Sequence, residues 1–100
     1  MKIYTKAIQF KADGKLYDRI DQKLSKMERL FDRIIDASVN LKLENSGQVK
    51  DKILEVKMNV PGSTLIASAT DKTFESALDT VVDSLKKQLI KYKAKLQKGS

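Results

Sequence analysis

Two stretches in the middle of the chain alternate strictly between apolar and polar residues, a pattern that fits β-strands with one buried face. The apolar positions of the first are Ile35, Ala37, Val39, Leu41 and Leu43. Those of the second are Leu54, Val56, Met58 and Val60. Asn45 and Gly47, which favour a turn, lie between them. The sequence therefore predicts a hairpin whose apolar face needs a cover.

Two amphipathic helices are predicted to supply that cover. After a candidate N-cap at Asp13, apolar residues recur at spacings of three and four, which predicts a helix over residues 14–31. Asp71 is a candidate N-cap for a final helix of about six turns, whose apolar stripe runs over residues 74–96.

Two further segments are rich in β-forming residues and complete the predicted sheet. Residues 2–9 are predicted as a first strand, although their alternation is loose and does not show which face is buried. Pro61 and Gly62 favour a turn, and residues 64–69 form a fourth strand after it.

The predicted order is β-α-β-β-β-α, an α+β two-layer sandwich in which two parallel helices cover one face of a four-stranded sheet. The other sheet face stays exposed to solvent. This layout is similar to that of double-stranded RNA-binding modules. We expect a single domain over residues 1–98, with residues 99–100 frayed.

The composition argues against catalysis. The chain has neither Cys nor His, and so lacks thiolate chemistry, the usual neutral-pH base and the commonest metal ligand. Asp32 and Asp36 flank a loop in a polar setting, and the glycines match no phosphate-binding or dinucleotide motif. We expect no enzyme activity, no cofactor, no metal and no small-molecule substrate.

The distribution of hydrophobicity predicts where the protein works. No apolar run approaches the roughly 20 residues that cross a bilayer. The N-terminal residues have neither the apolar core nor the cleavage site of a secretory signal. A soluble, cytoplasmic protein with no membrane partner is therefore expected.

Positive charge is concentrated near the C-terminus. The net charge is +7, and residues 84–98 contain six lysines and no acidic residue, which leaves fourteen bases against thirteen acids elsewhere. An anionic partner is implied, and nucleic acid is the commonest one for a cytoplasmic chain this basic.

Helical wheels sort these charges by side. The bases on one flank and the outer face of the first helix are Lys15, Arg19, Lys23, Lys26, Arg29 and Arg33, and those on the same-handed flank of the last helix are Lys87, Lys91, Lys95 and Lys98. Of these, the predicted RNA contacts are Arg19, Lys23, Lys26, Arg29, Lys87, Lys91, Lys95 and Lys98. Most acids fall on the opposite flank, and Lys86 and Lys93 fall on the far flank of the last helix. On parallel helices the basic flanks would form one groove for a phosphate backbone. The alternative is ordinary solubilising charge held in i,i+4 ion pairs.

Aromatic residues favour one mode of nucleic-acid binding over another. Most of them fall at positions that belong to the apolar face of a predicted helix or strand, or lie near the end of one. No strand shows a cluster of exposed rings. Base stacking is therefore not expected to be the main contribution to nucleic-acid binding. Recognition of folded, A-form RNA by shape and phosphate is favoured, whereas sequence-specific reading is not indicated.

Three stretches, "DQKLSKMERLFDRI", "MNVPGSTLIASATDKTFESALD" and "SLKKQLIKYKAKL", resemble the short ribosome hibernation promoting factors, also called ribosome-associated inhibitors or ribosomal subunit interface proteins. The first motif is carried by Leu24, Lys26, Met27, Glu28 and Arg29. The second is carried by Leu85, Gln88, Leu89, Lys91 and Lys95. Ser84 departs from the pattern, since related chains often have a base there.

The resemblance implies a protein that binds the small ribosomal subunit in the channel of messenger RNA and transfer RNA, competes with both, and keeps ribosomes idle under stress. It also implies contacts with ribosomal RNA from Lys23, Lys26, Arg29, Lys87, Lys91 and Lys95. The alternative from the residues alone is a free-standing regulator that binds double-stranded RNA or DNA.

Overall fold

The computed structural model describes residues 1–44 and 51–98, the last two by their backbone alone. The strands are β1 (Lys2–Ala7), β2 (Asp36–Leu43), β3 (Lys52–Val60) and β4 (Ser63–Asp71). The helices are α1 (Gly14–Ser25), its 3-10 continuation (Lys26–Arg29) and α2 (Phe74–Lys98). The predicted α+β class and element order are confirmed. The predicted turn at Asn45 and Gly47 and the frayed end at 99–100 lie outside the described residues.

The four strands form one mixed sheet in the order β1-β2-β3-β4. β2, β3 and β4 are an antiparallel meander, whereas β1 pairs parallel to β2. This follows from the connections, because a hairpin joins antiparallel strands and a helical crossover joins parallel ones. Both outer strands, β1 and β4, are therefore sheet edges.

Both helices lie on the same face of the sheet and run in the same direction. α1 returns from β1 to β2, and α2 follows β4, which runs parallel to β2. α1 packs against β1 and α2, while α2 packs against β3 and β4. The helices are therefore parallel neighbours, with α2 nearer the β4 edge.

One hydrophobic core lies between the helices and the sheet. It takes the alternate residues of the strands, such as Val39 and Val56, and the apolar stripes of the helices, such as Ile20, Leu78 and Leu85. No polar or charged side chain is buried in the part of the chain that the structure describes. The charged groups lie at the surface, where a partner can reach them.

Several predicted element bounds differ from the structure, and the fourth strand runs over Ser63–Asp71 rather than residues 64–69. The first strand ends at Ala7 rather than Gln9, because Gln9 adopts a left-handed φ of 63° that breaks the extended backbone. The first α-helix ends at Ser25 rather than residue 31 and tightens into the 3-10 helix, a common ending that keeps Met27 in the core.

The structure confirms one predicted helix cap and replaces the other. The Asp13 carboxylate accepts a hydrogen bond from the Lys15 amide at 3.1 Å, as an N-cap does. At α2 the cap is Thr73 rather than Asp71, since the Thr73 Oγ1 accepts from the Ser76 amide at 3.1 Å. Asp71 still belongs to β4.

Candidate nucleic-acid interface

The basic flank of α1 faces α2. Arg19, Lys26 and Arg29 are exposed to solvent, whereas Lys23 is half-buried. The Lys23 ammonium reaches across the crevice between the helices and lies 3.6 Å from the carboxylate of Asp79 on α2. The side of α1 that carries the most bases is therefore the side turned towards its neighbour.

The basic flank of α2 faces away from α1. Lys87, Lys91 and Lys95 are exposed, and the last two border a shallow cleft between α2 and β4. Gln88, on the same flank, donates a hydrogen bond at 2.9 Å to the backbone carbonyl of Ile66 in β4. Because β4 is an edge strand, Lys91 and Lys95 lie near the outer edge of the sheet.

Lys93 points the other way, towards α1. Its ammonium donates a hydrogen bond to the backbone carbonyl of Leu30, just after the 3-10 helix. Lys93 also lines a cleft together with Arg29 and Arg33. It thus joins the bases of the first helical segment rather than standing alone on a far flank.

Bases of the helical layer therefore form two sets, separated by the body of α2, while Arg19 and Lys26 are exposed and belong to neither. The inner set faces the crevice between the helices and comprises Lys23, Arg29, Arg33 and Lys93. The outer set comprises Lys91 and Lys95, which border the cleft on the β4 side of α2, and Lys87, which is exposed on the outward surface of α2 beside Asp83. Lys98 ends α2, and its side chain is not among the described ones.

The expectation of one groove shared by Lys23 and Lys87 is wrong. Equivalent flanks of two parallel helices point in the same direction, so the flank of α1 points at α2 while that of α2 points beyond β4. Lys93 was therefore missing from the predicted contacts, and Arg33, although placed among the bases of the first helix, was not one of them either. The wheel places Lys93 on the flank of α2 opposite Lys91, but which flank meets α1 depends on the order of the helices across the sheet.

Two acidic residues pair with predicted contact bases. Asp79 lies beside Lys23, and the Asp83 carboxylate lies 3.2 Å from the Lys87 ammonium in an i,i+4 pair. The acids were expected to be unable to pair with this flank, and the Lys87 pair shows otherwise. Lys87 and Asp83 are 74% and 67% exposed, so the pair stabilises the fold by only about 0.3–0.5 kcal/mol. A phosphate can displace the carboxylate at little cost.

We expect Asp79→Asn to strengthen binding to an A-form RNA duplex about two- to fivefold, because it removes the carboxylate that competes for Lys23. Fluorescence anisotropy with labelled duplex measures the change. Asp18→Asn is the matched control, since it removes an exposed acid of α1 that forms no ion pair within residues 1–44 and 51–98. Equal gains in affinity from both variants would contradict the idea that the Asp79 carboxylate specifically competes with RNA for Lys23.

Most aromatic rings near the helices serve the core. Phe31 and Tyr92 meet edge to face at 5.4 Å, and Phe10 stacks on Phe74 at 5.5 Å. Phe31 and Phe74 are buried, and Phe10 and Tyr92 pack against the core, so the helical layer offers charge rather than stacking surfaces. Tyr4 is the exception: it is 55% exposed and lies on the opposite side of the sheet.

Other kinds of site receive no support from the described residues. Residues 1–44 and 51–98 contain no group of three or more acidic, His or Cys side chains that could hold a metal ion. In the same part of the chain, no helix has the length and apolar character needed to span a membrane.

A sequence model of the family described as Sigma 54 modulation protein / S30EA ribosomal protein matches residues 3–97. The chain belongs to this family. It is 34% identical to a ribosome hibernation promoting factor of Azotobacter vinelandii, over 95% of this chain and 85% of that protein. It is 36% identical to a ribosome hibernation promoting factor of Klebsiella oxytoca, over 80% of each.

A solved structure supports the same assignment. The ribosomal subunit interface protein from Coxiella burnetii superposes with a TM-score of 0.84 at 26% identity, covering 94% of this chain and 99% of that one. The family resemblance and the fold predicted from the sequence are thus confirmed. The S30EA family match spans both helices and includes every predicted contact residue except Lys98. The roles of the individual bases stay predictions.

Proposed function

We propose that this chain binds the small ribosomal subunit through its ribosomal RNA and occludes the channel for messenger RNA and transfer RNA. Binding there inhibits translation and stores idle ribosomes under stress. The observation that carries the proposal is the exposed lysine row of α2 in a member of the S30EA family. Relatives named ribosome hibernation promoting factors support the ribosome as the partner.

The outer set suits a phosphate backbone. Lys87, Lys91 and Lys95 are spaced one helical turn apart, so their Cα atoms advance by roughly 6 Å per step along a rigid helix. Contacts with phosphates fix the position and orientation of a protein without reading base identity. Selection of the target therefore rests on the folded shape of the ribosomal RNA.

The proposed action is steric. A domain seated on RNA in the channel excludes messenger RNA and transfer RNA by occupying their space, and it acts in the cytoplasm with the ribosome. This requires no bond making, no cofactor and no small-molecule substrate. The absence of Cys and His from the sequence fits an agent of this kind.

The rival function is a free-standing regulator that binds double-stranded RNA or DNA. Co-sedimentation of the protein with purified small subunits, in the presence of excess competitor duplex RNA, separates the two. We expect binding to survive a large mass excess of duplex, because only the subunit offers the matching folded surface. Equal affinity for naked duplex would favour the rival.

Inhibition should be stoichiometric. We expect the protein to suppress cell-free translation roughly one for one with ribosomes, because each bound molecule blocks a single channel. The measurement is reporter synthesis as a function of the protein-to-ribosome ratio. A time-dependent loss of activity at strongly sub-stoichiometric protein would indicate catalysis instead.

A further inference from the structure

The sheet face opposite the helices carries a row of exposed side chains along β1. In this strand exposed and half-buried residues alternate, and Ile3 and Ala7 pack against the core. Lys2, Tyr4 and Lys6 therefore point outward on the open face. Because β1 is an edge strand and neither helix covers this side, the tyrosine ring is open to solvent.

The pairing register extends this row across the sheet. Tyr4 lies beside Ser38, Ser38 beside Lys57, and Lys57 beside Ile66. The row thus runs from an exposed aromatic ring, over a small hydroxyl and an exposed ammonium, to an apolar side chain that is 57% exposed. With strands about 4.8 Å apart it spans roughly 14 Å.

Two acidic side chains in the middle of this face, Glu55 and Asp36, have partners. The Glu55 carboxylate pairs with Lys42 at 3.0 Å. Asp36 accepts a hydrogen bond from the Asn59 amide at 2.6 Å, and Asn59 accepts one from Thr64 at 2.9 Å.

Three lysines lie on this face near Tyr4. Lys2, Lys6 and Lys57 form no ion pair within residues 1–44 and 51–98. The open face therefore combines an exposed aromatic ring with three lysines that form no ion pair among the described residues, although Asp36 lies beside Lys2 in the pairing register.

This combination fits unpaired RNA. An aromatic ring can stack only on a base whose face is accessible, which excludes the inside of a duplex and favours a single strand. Lys2 and Lys6 stand two residues from Tyr4 on either side, roughly 7 Å away along the strand, where they can meet the phosphates that flank a stacked base. A polyanion also supplies the charge that this face lacks.

We propose that the open sheet face is a second RNA-binding surface, which takes a single-stranded segment with one base stacked on Tyr4 and its phosphates on Lys2, Lys6 and Lys57. A neighbouring base would cover Ile66. This goes beyond the proposed function, which uses the helical layer, and it does not depend on the ribosome as the target. With both surfaces occupied, one domain would hold two RNA segments on opposite sides.

The test uses the whole chain and a short fluorescein-labelled oligouridylate, followed by anisotropy at low salt. We expect Tyr4→Ala to weaken binding roughly fivefold or more, the loss of one stacked base. Tyr4→Phe keeps the ring and should stay within about twofold of the unchanged protein, because base stacking uses the ring face. Equal affinities of Tyr4→Ala and the unchanged protein, with melting temperatures alike, would overturn the proposal.

Amide chemical shifts locate the bound strand independently. Oligouridylate should perturb residues of β1 and Lys57 in the protein that carries Lys87→Glu and Lys91→Glu as well as in the unchanged chain. Perturbation confined to α1 and α2 would overturn the proposal. So would concentration-dependent perturbation of β1 without RNA, accompanied by dimerisation in sedimentation, since it would assign this face to a second copy of the chain.

Discussion

Combined charge reversal at Lys87 and Lys91, Lys87→Glu with Lys91→Glu, is expected to abolish binding to small subunits and leave the fold intact. Both side chains are exposed on the outer set, and the only ion pair between them and the described residues is the weak one from Lys87 to Asp83. A hydrogen bond to a charged partner contributes about 1.5–3 kcal/mol, so the loss of two contacts corresponds to roughly a 100-fold drop in affinity or more.

The salt dependence gives a second measure of the same contacts. Binding by phosphate neutralisation releases counterions, so the logarithm of affinity falls linearly with the logarithm of salt concentration. Each lost phosphate contact should lower the magnitude of that slope by about one. We expect a strongly salt-labile complex for the unchanged protein and a slope smaller by about two for a milder variant, Lys87→Gln with Lys91→Gln, whose binding remains measurable.

The matched control is Lys11→Glu with Lys72→Glu, which removes the same net charge. Both residues are exposed and lie before the first turns of α1 and α2. Lys91 lies 17 residues after Phe74, or roughly 26 Å along α2, several times the screening length of about 8 Å. If the two double variants lose affinity equally, bulk basicity rather than the outer set determines binding.

Lys86→Glu with Lys93→Glu is a poor control for the same experiment, although the helical wheel alone recommends it. Lys93 donates to the carbonyl of Leu30 and borders the cleft that Arg29 lines. Its reversal would place a carboxylate against a backbone carbonyl and within the inner set. We therefore expect this double variant to change both the packing of the helices and the affinity for RNA.

The architecture was predictable because the residue pattern within each helix and strand indicates which of its faces is buried. The strict alternation around Val39 and Val56 and the 3-4 spacing around Ile20 and Leu85 hold in the structure, except at the ends of the first stretch, where Ile35 and Leu43 are exposed. These patterns require one sheet face to be covered, and two helical stripes are available to cover it. The element order then leaves few topologies.

The grouping of the charges was not predictable from the wheels alone. A wheel gives the direction of a side chain relative to its own helix, whereas neighbourhood depends on which helix lies on which side. Lys93 meets Leu30 and Lys23 meets Asp79 only because α2 lies between α1 and the β4 edge. This is tertiary information that no single segment contains.

The open-face site was hidden for a related reason. The apolar-polar alternation of β1 is loose, because the polar Thr5 lies on the same face of the strand as Ile3. The sequence therefore leaves open whether Tyr4 faces the core or solvent. The pairing of β1 with β2 settles the direction, and only then does the tyrosine join Lys57 across the sheet.

Leu85→Ala is expected to destabilise the fold strongly. Leu85 is fully buried at the centre of the stripe that packs on the sheet. Truncating a buried leucine to alanine costs about 2–5 kcal/mol, a large share of the 5–15 kcal/mol typical of a whole domain. For 100 residues this lowers the melting temperature by roughly 10 °C or more, which thermal unfolding followed by circular dichroism measures.

Ile90→Ala is the matched control, because it removes a similar volume from the same helix at a position that is 58% exposed. Little buried area is lost there, and alanine has the higher helix propensity, so the free energy of unfolding should change by less than about 0.5 kcal/mol. Similar destabilisation by both variants would contradict the packing of α2 on the sheet through the Leu85 face. Since that packing also fixes which side of α2 carries Lys91 and Lys95, the arrangement of the outer set would fail with it.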